Sequence, residues 1–164
     1  EPGRRIVAIK NVSLAEDHLH DHFPASASRA AMPIMPASLI IEGMAQSAGI
    51  LVGHAGAFRE KVILAKVASV ELTHDVTPGR TIRYTATIDR ADHAGASTLG
   101  IVEALDPAAE PGSPGALPVR IGAIDLLFSH LDNNLAGAEF PADNFVFGDS
   151  FKMLLRTSGV AFPE

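Results

Sequence analysis

The spacing of apolar and polar positions changes period several times along the chain. Residues 4–12 (RRIVAIKNV) alternate, and so do residues 80–90, where Ile82, Tyr84, Ala86 and Ile88 are interleaved with Arg83, Thr85 and Thr87. A period of two belongs to a strand with one covered face, so both segments are predicted strands. Residues 62–73, 96–105 and 119–131 are read as three further long strands. A different pattern interrupts them: Leu39 to Val52 reads LIIEGMAQSAGILV, with Glu42 its only charged residue. Pro36 stands where a first helical turn accepts proline, and a helix over 36–56 is predicted. Small residues and prolines mark 18–36 as a loop. Turns fall at Thr77-Pro78-Gly79 and at 92–95, and 106–118 (DPAAEPGSPGALP) is a flexible hairpin connection. No internal repeat is present.

One long helix followed by an antiparallel meander predicts an α+β fold with a sheet wrapped around a central helix. A helix that is apolar all round needs cover on every side. One curved sheet covers only part of it, so pairing with a second subunit is expected. Residues 1–131 form the predicted domain, and 132–164 an extension packed on it. The extension carries Phe140, Phe145, Phe147 and Phe151 and a predicted last helix over Asp149–Thr157.

Glu42 is the first candidate for chemistry. A carboxyl group among apolar side chains resists ionisation because its anion is poorly solvated. A protonated acid is a proton donor, and His22, just ahead of the proline-broken loop, is a natural acceptor. The pair points to acid–base chemistry on a substrate suited to an apolar site. Other readings stay open. His18, His20 and His22 alternate, so in an extended chain they would face one way and suit a metal; His22 is otherwise a structural histidine. Glu42 is otherwise a buried carboxylate satisfied by hydrogen bonds, and Gln46, one turn on, either supports it or makes a core hydrogen bond. His54, His74, His93 and His130 read as structural or surface residues. Ser38 and Ser47 sit in no G-x-S-x-G context, and no G-x-G-x-x-G or phosphate loop suggests a nucleotide.

These residues carry a family resemblance. His22-Phe23-Pro24, then Met35-Pro36-Ala37, then Leu39-Ile40-Ile41-Glu42-Gly43-Met44-Ala45-Gln46 resemble the active-site signature of the β-hydroxyacyl-(acyl carrier protein) dehydratases, the FabZ/FabA-type hot-dog enzymes. Their pattern is His-Phe-Pro-Gly, a short link with proline, Met-Pro-Gly, an apolar pair, then an acid. Ile6 to Ser13 and Val76-Thr77-Pro78-Gly79 also resemble family strands. Two departures stand out: an insertion of about half a dozen residues at 25–31, of a kind connecting segments tolerate, and alanine in place of both glycines, at Ala25 and Ala37.

The resemblance implies a hot-dog fold in a homodimer or trimer of dimers, with histidine and acid of one site supplied by different subunits. It implies dehydration of a β-hydroxyacyl thioester to the trans-2-enoyl thioester in fatty acid or related acyl-chain biosynthesis. His22 would take the α-proton, Glu42 would donate to the departing hydroxyl, and the Ala37 N–H would polarise the thioester carbonyl. Phe23, Pro36 and Gln46 would line the substrate. No metal or redox cofactor is implied; the acyl group rides on the phosphopantetheine of an acyl carrier protein or on coenzyme A. A hot-dog acyl thioesterase and a non-catalytic acyl-binding hot-dog protein remain as alternatives. The extension is then a tail on the sheet's open face or a cap over the acyl tunnel, and the insertion a flap offering Arg29 to an anionic carrier or a solvated spacer.

Composition narrows the partners. The formal charge of −6 argues against nucleic acid, and any docking of an acidic carrier needs a local basic patch from among Arg4, Arg5, Arg29, Arg59, Lys61 and Lys66. The absence of cysteine removes disulfides, thiolate metal sites and a cysteine nucleophile. Glu42, Gln46 and Ser47 break the longest apolar region, which therefore predicts no membrane span. With no signal-like stretch visible, a cytoplasmic location is expected.

Overall fold

The computed structural model describes residues 3–131, 140–141 and 143–160. The predicted extension thus lies partly outside the described residues, at 132–139, 142 and 161–164. Strand β1 (Arg5–Asn11) leads through a short helix α1 (Asp17–Asp21) and a long loop to α2 (Ala37–Ala55). Four long strands follow: β2 (Val62–Leu72), β3 (Thr81–Ala91), β4 (Gly95–Leu105) and β5 (Val119–His130). A 3₁₀ turn at Pro114–Ala116 sits in the β4–β5 connection, and α3 (Asp149–Thr157) comes last. All five strands form one antiparallel sheet in the order β1-β3-β4-β5-β2. Helix α2 packs across it and touches every strand.

The alternation in β3 does what its period requires: Ile82, Tyr84 and Ala86 are buried against α2, which turns Ile40, Met44, Ala48 and Leu51 towards them. The approach is close at Gly43, where a Cβ would lie 2.5 Å from the Tyr84 hydroxyl oxygen. Burial pushes the Tyr84 phenol up to about 12.

Three expectations are corrected. The 18–36 loop is not irregular throughout, because α1 forms at its start around the buried Leu19. Helical geometry turns His20 about 200° away from its two neighbours, and the three histidines make separate contacts. His18 Nε2 lies 3.8 Å from Glu16, His20 bonds the Leu14 carbonyl at 2.6 Å, and His22 bonds that of Ile34. Nor is α2 apolar all round. Ser38, Glu42 and Gln46, spaced by four, form an exposed polar stripe. Strand β2 is also unlike its neighbours: residues 65–71 are exposed throughout, and its outer edge pairs with nothing among the described residues. Two register shifts, at Leu64/Lys66 and Val67/Ser69, bend it. Among the described residues no helix is long and apolar enough to cross a membrane.

Candidate active site

The histidine is held by backbone. His22 follows α1, and its ring nitrogen Nδ1 lies 2.6 Å from the Ile34 carbonyl oxygen. A carbonyl only accepts, so Nδ1 carries the proton and the lone pair of a neutral ring is left on Nε2. Phe23 adopts φ 57, a left-handed conformation unusual for a bulky residue, and its ring packs on the imidazole with centroids 4.3 Å apart. The inserted residues form a tight hairpin. Ser26 and Arg29 pair through their backbones, and the Met32 N–H closes the loop onto the Phe23 carbonyl at 3.0 Å. Arg29 folds back over the Phe23 ring at 5.5 Å and reaches the Pro24 carbonyl at 3.3 Å.

The loop then delivers the start of α2. The Met35 N–H is fastened to the Val76 carbonyl at 2.8 Å, and Pro36 is the N-cap residue, with no side chain capping the helix. A helix start of this kind presents N–H groups and a partial positive charge. Neither Ala25 nor Ala37 has positive φ, so both positions accept alanine without strain. His22, Phe23 and Ala37 share a cavity of about 450 Å³ with Ile40 and with Thr73, His74 and Asp75 beyond the end of β2. Those last three were not singled out from the sequence, where His74 read as structural or surface. They follow the end of the β2–β5 pairing, where the Thr73 N–H donates to the Ile121 carbonyl at 2.8 Å, and the Thr73 hydroxyl lies 2.8 Å from His74 Nδ1.

Glu42 lies elsewhere in the single chain. It is exposed, so the fold of one subunit does not supply the apolar enclosure that its neighbours in sequence suggested. Gln46 Nε2 donates to its carboxylate at 2.9 Å. Both residues line two cavities that exclude His22. One contains Lys10, His18 and Tyr84; the other has a volume of about 540 Å³ and includes Phe128 and the C-terminal segment. The loop and helix start bring His22, Phe23 and Ala37 together, with Pro36 as the cap. The helix surface brings Glu42 and Gln46 together, but within one chain the two groups do not meet.

Comparison with known proteins bears on the chain as a whole. A sequence model of the FabA-like domain matches residues 1–105. The 3-hydroxyacyl-(acyl-carrier-protein) dehydratase FabZ of Ruminiclostridium cellulolyticum is 34% identical over 117 residues, covering 71% of this chain and 74% of that protein. The FabZ of Rickettsia bellii is 38% identical over 92 residues, with 55% and 59% covered. The chain thus spans little more than half the length of some curated relatives it matches. Among solved structures, a variant of the Staphylococcus aureus acyl-CoA hydrolase in complex with coenzyme A superposes with a TM-score of 0.61 at 15% identity, covering 94% of this chain and 86% of that one. A hexameric broad-specificity acyl-coenzyme A thioesterase gives 0.58 at 14%, with 95% and 99% covered. Likeness at such identity carries the fold alone, an α+β hot-dog. The fold, together with the match over residues 1–105, places the chain in the FabA-like family.

Proposed function

We propose that the protein is a hydro-lyase that converts β-hydroxyacyl thioesters into trans-2-enoyl thioesters and water, in fatty acid biosynthesis. The observation that carries the reading is the His22 cavity, where an imidazole with its free lone pair on Nε2 shares a wall with the uncapped start of α2. The thioester carbonyl accepts from the Ala37 N–H, and the enolate that develops as His22 removes the α-proton is stabilised there. The Cβ–O bond then breaks, Glu42 passes its proton to the departing hydroxyl, and water leaves. The thioester itself acidifies the α-carbon, so the residues suffice without a metal or redox group.

Glu42 reaches this cavity from a second subunit. The exposed Ser38–Glu42–Gln46 stripe and the unpaired β2 edge are the surfaces that a partner would cover. Such a partner also encloses the Glu42 carboxyl, which the Gln46 amide orients. The acyl group arrives on an acyl carrier protein or on coenzyme A.

The test is to incubate the protein with β-hydroxyacyl thioesters and follow enoyl absorbance and free thiol in parallel. Enoyl product without thiol release is expected, abolished by His22→Ala and by Glu42→Ala. Thiol release without enoyl product would establish a thioesterase instead, and tight acyl binding with neither product a non-catalytic role.

A further inference from the structure

The second cavity beside Glu42 has a wall that the family match does not include. Among the described residues its only polar lining side chains are Glu42 and Gln46, and five lining residues lie beyond residue 105: Phe128 on β5, and Val146, Phe147, Phe151 and Leu154 in the C-terminal segment. We propose that residues 144–155 form a wall of the acyl-chain pocket and set which chain lengths the protein accepts, an inference that rests on the dehydratase reading above.

The occupant follows from the chemistry of the substrate. In a β-hydroxyacyl thioester the polar atoms are confined to the thioester and the β-carbon, and everything beyond is hydrocarbon. Once the β-hydroxyl is at Glu42, the remaining carbons need apolar space directly beside that carboxyl. This cavity is that space, and about 540 Å³ lies within the range of roughly 300–1,000 Å³ typical of small-molecule sites.

The wall is built, not merely draped. Asn144 Nδ2 donates to the carbonyls of Phe58 and Glu60, both at 3.0 Å, and its Oδ1 accepts from the N–H groups of Val146 and Phe147, both at 3.1 Å. One side chain therefore ties the segment to the turn after α2 and shapes its own backbone. Phe147 stands edge-on to Phe58 at 5.0 Å and meets Phe151 at 5.5 Å. The fit requires a glycine in the helix, because a Cβ at Gly53 would lie 2.5 Å from the tip of the Phe147 ring. Leu155 anchors α3 from its buried side, while Leu154, one residue before it, lines the cavity yet is 61% exposed.

The experiment compares kcat/KM for the N-acetylcysteamine thioesters of β-hydroxybutyrate, β-hydroxyoctanoate and β-hydroxydodecanoate. Leu154→Trp fills the cavity and should lower the dodecanoyl-to-butyryl ratio by about tenfold; Phe151→Ala widens it and should raise that ratio by a similar factor. Leu154 is exposed enough that its substitution leaves the core intact, so it carries the test alone if Phe151→Ala fails to fold. Ratios unchanged within about twofold would overturn the wall. If the wild type turns over none of these thioesters, the dehydratase reading falls. The wall is then judged by titrating saturated dodecanoyl- and butyryl-coenzyme A, where Leu154→Trp must weaken the longer chain selectively and equal weakening of both rejects the proposal.

Discussion

The two ends of α2 solve opposite problems. At its N-terminus the helix leaves backbone donors uncapped beside His22, in a cavity whose rim is polar: Thr73, His74 and Asp75. At its C-terminus every device serves close packing of hydrocarbon. Gly53 makes room for Phe147, Phe58 turns under it with φ 53, and Asn144 uses its side-chain amide to satisfy carbonyls and N–H groups of the surrounding loop. Glu42 lies between. The difference teaches that rate and selectivity can reside at separate ends of one rigid element and should respond to mutation independently.

The largest expected effect is at the first end. His22→Ala should reduce enoyl formation by on the order of 10²–10⁴-fold, equally for every chain length, with a thermal midpoint near wild type. Unequal losses across chain lengths would merge the two ends into one device. Next in size, Phe147→Ala should destabilise the fold by about 3–5 kcal/mol in denaturant titration, because a side chain only 5% exposed leaves a cavity among Phe58, Phe151 and α2. A cost well below 1 kcal/mol would mean that the C-terminal end is not packed as described. Arg29→Ala is expected to change stability by less than about 1 kcal/mol, since the stacking on Phe23 is exposed. It should raise KM for carrier-bound substrate only at low salt, leaving kcat alone.

The smallest effect concerns the middle of the helix. Tyr84 holds its proton to about 12 in the folded protein, whereas an unfolded tyrosine loses it near 10. Between those values the unfolded state binds fewer protons, so stability falls as pH rises from about 10 to 12. Tyr84→Phe should lack this component, seen as a shallower alkaline decline in thermal midpoint; parallel curves would place the hydroxyl in water rather than against Gly43.

Much of the molecule was legible from period alone. The strands and α2 fall within a residue or two of the predicted bounds because a half-covered sheet imposes a period of two over long runs, and α3 matches its predicted range, Asp149–Thr157. Helix α1 was missed because the small residues and prolines of 18–36 read as loop, while the burial of Leu19 that helps hold it is tertiary. The exposure of Glu42 was missed because an apolar window hides direction. Reading Ser38, Glu42 and Gln46 at intervals of four would have revealed one outward stripe. Thr73, His74 and Asp75 had no local signal at all. Chain folding brings them to His22, and the Ile34 carbonyl that orients the imidazole belongs to no side chain.

That carbonyl has an evolutionary consequence. Because the partner of His22 Nδ1 is main chain, no single side-chain replacement deletes it; only a change in the path of the chain can. Positions 25–31 are thereby released from much of the selection that a loop beside a functional site normally bears. Their hairpin closes on itself at Phe23 and Met32, so its tip can lengthen, shorten or change composition while the imidazole keeps its tautomer. Insertions should therefore accumulate here among descendants more readily than anywhere else near the site, and the loop offers a place to graft new recognition without disturbing His22.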